Sequence, residues 1–269
     1  MLHTPFNLFN PADYTTYSQE GFRLVDRATT VASLMKLKKM LVMPESIDAP
    51  GIDAGSGPYP LWGMILLRFL KSGMVFAADK SQSNLEYQMH FGANGGPHLY
   101  RGLDLLGQEV EADTRVIWRE HGAHILRKGG EIYGDASLFY NTLLDAQRRI
   151  KAVKGDIYTL GERFPSRFGI GASGFCAESI TTSKDECLDA WRSFINSLRI
   201  GAPFVITIVL GSTGYSAGEF TFFPAVNLTI EDVVEMFAML PVECTAEEVR
   251  INFREGHGGT AIVVGRRIR

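Results

Sequence analysis

The chain has 269 residues, of which 45% are hydrophobic and 21% charged, with a formal net charge of -3. That length allows one sizeable core, and the composition excludes a disordered or fibrous chain. With no net positive charge and no basic run longer than "GRRIR" near the C-terminus, the chain offers no field for a polyanion, which excludes nucleic acid as a partner.

In chain order, "MLHTPFNLF" lacks the basic start and long apolar stretch of a signal peptide. From Pro11 to about Met43, Phe22, Leu24, Val25, Val31, Leu34, Met35 and Leu37 recur at close to helical spacing. Lys36, Lys38 and Lys39 stand where cations favour a helix end, so one or two helices are expected here. The turn "APGIDAGSGPYP" follows. "PLWGMILLRFLKSG" then reads as an apolar helix stopped by Gly73; its apolar stretch contains Arg68 and falls short of the roughly 20 residues that cross a bilayer, so no membrane is expected. "MVFAAD" reads as a buried strand ending on Asp79, and "SQSNLEYQMHFG" as a helix capped by Ser81 and closed at Gly92.

From about 93 to 135 the pattern is weak, with "GANGGPHLYRG" a loop whose His98 and Tyr100 are candidates to roof a pocket. "SLFYNTLLDAQRRIKAV" starts with helical spacing and leads to "KGDIYTL", an expected strand with Asp156 at its edge. "FGIGASGFCAESI" reads as a strand with a polar exit. "SKDECLDAWRSFINSLRIG" reads as a helix capped by Ser183, with Glu186 at the capping-box position and Gly201 as the stop. "APFVITIVLGS" has the continuous apolar character of a central strand buried on both faces. "TIEDVVEMFAML" is a second capped helix from Thr229, and "EEVRINF" with "GTAIVVGRR" reads as a closing antiparallel pair. Strands alternating with helices predict a doubly wound α/β sheet. Cys176, Cys187 and Cys244 form an odd, scattered set without a C-x-x-C pair, which argues against disulfides and a zinc site and for a reducing, cytoplasmic setting; no metal is expected.

The chemistry concentrates at "GIDAGSGP". A strand ends at Asp53, and Gly55 and Gly57 let the backbone turn sharply and approach a ligand closely. The next strand ends at Asp79, about 20 residues on, where a carboxylate can accept both hydroxyls of an adenosine ribose. A dinucleotide fingerprint needs a third glycine where Pro60 stands, which argues against NAD, and no G-K-[ST] follows, which excludes a phosphate-cradling loop. An acid inside the turn would repel pyrophosphate and attract an ammonium, as carried by S-adenosylmethionine (SAM).

These blocks together resemble the nicotinamide, phenylethanolamine and thioether methyltransferases, a branch of the class I SAM-dependent enzymes. "FNPADYTTY" resembles the family's lid segment, "IDAGSGP" and "FAADKSQSNLEY" its first two SAM motifs, and "KGDIYTL" and "GFCAESI" the two strands that follow. "YSAGEFTFFPAVNLTIEDV" resembles its substrate segment. The resemblance spans most of the chain except about 93–150. It implies a single methyltransferase domain over 1–269, with a helical lid at 1–45 and a Rossmann-like core with a seven-stranded, mostly parallel sheet at 46–269.

Carried over by position, the resemblance places Gly55, Ser56 and Gly57 at the methionine moiety, and Asp79 with Lys80 and Asn84 at the ribose. It places Asp156 and Ile157 at the adenine, Phe175 beside the methyl donor and Tyr14 at the lid over the active site. The family's second lid tyrosine is Gln19 here, with Tyr17 the nearest ring. An acceptor-binding aspartate of the nicotinamide enzyme falls on Ile208, an uncharged position. Ser212, Tyr215 and Phe222 are expected to shape the acceptor pocket, Glu219 to fix its loop, and His257 to lie in solvent. Glu178 is a candidate to take a proton or bind a cationic group, and equally a helix-start carboxylate. The expected function is SAM-dependent transfer of a methyl group to a small aromatic or amine, N-methylation by family default. The alternatives are C- or O-methylation of a flat aromatic such as an indole in bacterial specialised metabolism, and a silent SAM-binding module.

Overall fold

The computed structural model describes residues 21–58, 60–86, 88, 100–103, 109–112, 124–125, 127–134, 148–216, 222–250 and 258–269. In chain order its elements are α1 (Gly21–Lys39), β1 (Gly51–Ala54), α2 (Leu61–Leu66), β2 (Val75–Asp79), β3 (Tyr100–Leu103), β4 (Glu109–Ala112), β5 (Ile150–Lys154), α3 (Leu160–Arg163) and β6 (Ile170–Gly174). Then come α4 (Lys184–Ser197), β7 (Pro203–Leu210), β8 (Gly214–Ser216), β9 (Phe222–Pro224), α5 (Ile230–Ala238), β10 (Val242–Val249) and β11 (Gly259–Arg267).

Seven strands form one sheet in the order β10-β11-β7-β6-β1-β2-β5, with every pair parallel except the two that β11 makes. The expected doubly wound α/β sheet is therefore present. Strand β7 is buried at all its residues, as its unbroken apolar sequence requires. Its alternating faces divide the core. Phe204, Ile206, Ile208 and Leu210 pack with Trp191, Phe194, Val233 and Phe237 of α4 and α5. Val205 joins Ile170, Ile262 and Val264 against Leu34 and Leu37 of α1 and Trp62 and Ile65 of α2. Trp191 is fully buried, its ring 4.9 Å from that of Phe237. Glycine at 171 brings α4 close to the sheet, because a Cβ there would stand 2.7 Å from Leu198 and 2.8 Å from Phe194.

Both expected caps are present: Ser183 accepts from the Glu186 amide, and Thr229 and Asp232 form a reciprocal capping box on α5. The Glu186 carboxylate, however, turns to the Thr181 hydroxyl at 2.5 Å rather than back to its own cap.

Four expectations are corrected. The helix after Pro60 stops at Leu66, and Leu70 pairs with Ile47 as an isolated bridge, so the apolar stretch divides between a short helix and a bridge on the amino side of β1 and β2. The strand near Asp156 is Ile150–Lys154, and Asp156 lies beyond its end, capping a turn by accepting from the Tyr158 amide. Strand β10 begins at Val242 and stops at Val249, earlier than "EEVRINF" suggested. Ile208 is fully buried in the core under α4 and α5, not on a pocket wall, because alternation along β7 turns it to that face. Within 93–150 lies an antiparallel pair, β3 with β4. Tyr14, Tyr17, Gln19, Gly92, His98, Glu219 and His257 lie outside the described residues, as does the start of "SLFYNTLLDAQRRIKAV".

Candidate functional site

The parallel strands β1, β2, β5 and β6 end on the same side of the sheet, where ligands of open α/β folds bind. The turn after β1 is rooted to β2: the Gly55 and Ser56 amides both donate to the Ala78 carbonyl, at 2.8 and 3.1 Å. Gly55 and Gly57 have φ of +68° and +63°, the left-handed region that side chains disfavour. At Gly55 space forbids a side chain as well, since a Cβ would stand 2.1 Å from the Cys176 Sγ.

Asp79 closes the turn. Its Oδ2 accepts from the Gly57 amide at 2.8 Å, and its Oδ1 accepts from the Ser81 amide at 2.8 Å and Asn84 Nδ2 at 3.2 Å. Burial raises its pKa despite these donors. The Lys80 amide bears on the carboxylate as well, so four N–H donors face its roughly four acceptor positions. Asn84 Oδ1 is buried without a partner.

Asp53 lies differently from its expected place at the ligand. It is 2% exposed, and its Oδ2 accepts from the Gly63 amide at 2.8 Å, in the first turn of α2. Burial, with the Asp79 charge adding, pushes its pKa up to about 7. Lys80 and Asp156 meet as an ion pair at 2.8 Å across the ends of β2 and β5, and Ile157 is buried beside them. That puts these residues on the same side of the sheet as Asp79.

Phe175 leaves β6 with φ of +51°, a left-handed conformation that costs about 1–2 kcal/mol for a side-chain-bearing residue. Its amide makes one last ladder bond, to the Thr207 carbonyl at 2.8 Å. Glu178 takes over from there. Its Oε1 accepts from the Val209 amide at 2.9 Å, occupying the place that a continued β6 would fill. Glu178 is 1% exposed, its Oε2 is buried without a partner, and burial raises its pKa to about 7. It braces β7 from the interior rather than facing an open crevice.

Burial raises the Cys176 thiol pKa, and the charges of Asp79, Glu178, Asp156 and Asp53 raise it further, in that order. Four carboxylates thus bear on one point between the strand ends. Ser212 Oγ donates to the Gly214 carbonyl and accepts its amide, shaping the loop after β7. Tyr215 stacks on Phe223, ring centres 5.3 Å apart, while Phe222 is 59% exposed and points outward. Phe223, rather than Phe222, is the buried ring of that pair.

Sequence reasoning missed Gln88. Its Nε2 donates to Ser56 Oγ at 2.9 Å and to the Gly57 carbonyl, inside the glycine turn. The signal was available: Asn84 and Gln88 lie one helical turn apart, so both amides share a face. A groove of about 290 Å³ lies at the opposite, amino ends of the strands, lined by Asp48, Gly169, Arg199 and Arg266 among others, away from these residues.

No protein-family model matches the chain, and no curated protein matches it in sequence. Solved structures do match it in shape. A SAM-dependent methyltransferase from Methanosarcina mazei is 13% identical, with TM-score 0.52, the alignment covering 86% of this chain and 98% of that one. Two structures of a geranyl diphosphate methyltransferase, one with SAM and one with geranyl diphosphate and sinefungin, are each 10% identical with TM-score 0.50. Their alignments cover 90% of this chain and 85% and 78% of theirs. The chain therefore has the class I methyltransferase fold.

Proposed function

We propose that this protein is a SAM-dependent methyltransferase acting on a small molecule. The observation that carries the reading is the meeting of Gly55, Gly57, Asp79 and Asn84 in one hydrogen-bonded cradle at the carboxyl ends of β1 and β2. The structural relatives with bound SAM or sinefungin support it at the level of fold.

The residues present fit the cofactor. Asn84 Oδ1 and Gln88 Oε1 are buried acceptors in need of donors. Ribose hydroxyls and an ammonium are donors. When bound, SAM supplies a methyl group on a sulfonium, already activated for displacement.

The chain's own contribution is then position and dryness. Asp79 and Asn84 orient the ribose, Asp156 and Ile157 flank the adenine, and the bare backbone at Gly55 and Gly57 permits close approach. Phe175 and the Tyr215–Phe223 stack stand on the acceptor side. Glu178 keeps the end of β7 in place; being buried and bonded to Val209, it serves as a strut and not as a base.

Within this class we favour a small aromatic or amine acceptor methylated at nitrogen. The support is the motif resemblance to the nicotinamide, phenylethanolamine and thioether enzymes. The alternative, C- or O-methylation of a flat aromatic such as an indole, rests on the uncharged Ile208, which is buried in the core. Incubation with labelled SAM and a panel of pyridines, arylamines, indoles and phenols, followed by NMR location of the methyl group, tests the assignment. Methyl transfer to nitrogen of one class supports it; transfer only to carbon or oxygen contradicts it.

A further inference from the structure

We propose that Gln88 receives the ammonium of the cofactor's amino-acid tail, the task that the sequence assigned to Asp53. This inference rests on the SAM reading and deepens it.

Gln88 is 7% exposed and is built into the glycine turn. Its Nε2 donates to Ser56 Oγ and to the Gly57 carbonyl. A backbone carbonyl can only accept, so the amide cannot be flipped without setting two acceptors against each other. That fixes Oε1 on the other side of the amide, where it is buried and has no partner. A buried acceptor without a donor is costly, and a donor brought by a ligand removes the cost.

Asn84 and Gln88 both present this arrangement and both reach the glycine turn, Asn84 through Asp79, which holds the Gly57 amide, and Gln88 directly. Asn84 is tied to Asp79 and so belongs with the ribose. Gln88 is tied to Ser56 and Gly57 themselves, which puts its free oxygen at the residues that the motif resemblance gives to the methionine moiety. Asp53, the acid of that turn, is unavailable: it is 2% exposed and bonded to the Gly63 amide under α2. A neutral buried carbonyl oxygen is the acceptor that remains, and its strongest complement is a charged N–H donor.

The test compares two ligands that share the nucleoside and differ in the tail. S-adenosylhomocysteine carries the ammonium; 5′-methylthioadenosine lacks the amino-acid portion altogether. Their dissociation constants are measured by calorimetry for the wild type, Gln88→Leu and Gln88→Lys, with thermal melting as the check on folding. Gln88→Leu is expected to weaken S-adenosylhomocysteine by about tenfold or more, the worth of one hydrogen bond to a charged group, and to leave 5′-methylthioadenosine unchanged. Gln88→Lys, which keeps a donor for Ser56 and Gly57 and sets a cation where the free acceptor was, is expected to lower the preference for the tailed ligand at least as far as Gln88→Leu does.

Equal losses for both ligands in Gln88→Leu would show that the residue only supports the turn and would overturn the proposal, as would no loss for either. If Gln88→Leu does not fold, the ratio in Gln88→Lys decides: a preference for the tailed ligand equal to that of the wild type overturns the proposal. A wild type that binds neither ligand defeats the SAM reading itself, and a wild type that binds only 5′-methylthioadenosine defeats the ammonium site alone.

Discussion

The Gly57 amide donates to Asp79 Oδ2 at 2.8 Å, tying the bend after β1 to the carboxylate that ends β2. The two features that suggested a nucleoside site are therefore one unit, held ready before a ligand arrives. A cradle fixed in this way loses little conformational entropy on binding, which is what preorganisation supplies.

The turn also sets a steric prediction. Gly55→Ala places a methyl group against Cys176 in addition to forcing a left-handed alanine. It should abolish S-adenosylhomocysteine binding in calorimetry. In the double variant Gly55→Ala with Cys176→Gly the clash disappears and only the backbone penalty of about 1–2 kcal/mol remains. Partial recovery of binding is expected. A double variant as impaired as the single one would show that the Cys176 contact is not what excludes a side chain at residue 55.

Stability should fall as pH rises through the weakly acid range. Glu178 and Asp53 have ordinary pKa values of 4.5 and 3.8 and are raised to about 7 by burial in the folded protein. Above the ordinary values the unfolded chain has released these protons while the folded one keeps them. Their stabilisation is complete below about pH 4, declines up to about pH 7 and is flat beyond. Glu178→Gln keeps an acceptor for the Val209 amide and removes one titration, so it should lessen the slope by on the order of 2 kcal/mol across that window. Urea unfolding at a series of pH values measures this; an unchanged slope would contradict it.

Trp191→Ala removes the largest fully buried side chain, at the contact of α4 with Phe237. A loss of about 3–5 kcal/mol is expected in denaturant unfolding, with Trp191→Phe losing much less because most of the volume is kept. Equal losses would contradict a loss set by the volume removed.

Much of this was legible in the sequence because the signals were redundant. β7 announced itself by an unbroken apolar run, and α4 and α5 by caps that agree with their apolar spacing. The failures have local causes. Leu67 to Leu70 fit a helical period, yet Leu70 is used to pair with Ile47, a tertiary contact that spacing cannot show. Asp156 follows an apolar alternation closely enough to be read into the strand, although its carboxylate is engaged in starting a turn. Counting back to Ile208 located a position along β7 without fixing which face it occupies. Asp53 was correctly singled out as unusual, but its direction, beneath α2 rather than into the crevice, depends on the helix that starts at Leu61. Gln88 escaped because its spacing from Asn84 shows only a shared helix face; its meaning comes from the Ser56 and Gly57 atoms it reaches.

The most direct measurement is calorimetric titration of the wild type and Asp79→Ala with S-adenosylhomocysteine and with NAD. The account predicts that the wild type binds S-adenosylhomocysteine and not NAD, and that Asp79→Ala costs about 2–3 kcal/mol of that affinity through lost hydrogen bonds to a charged group. Tight NAD binding, or affinity for S-adenosylhomocysteine indifferent to the loss of Asp79, would contradict it.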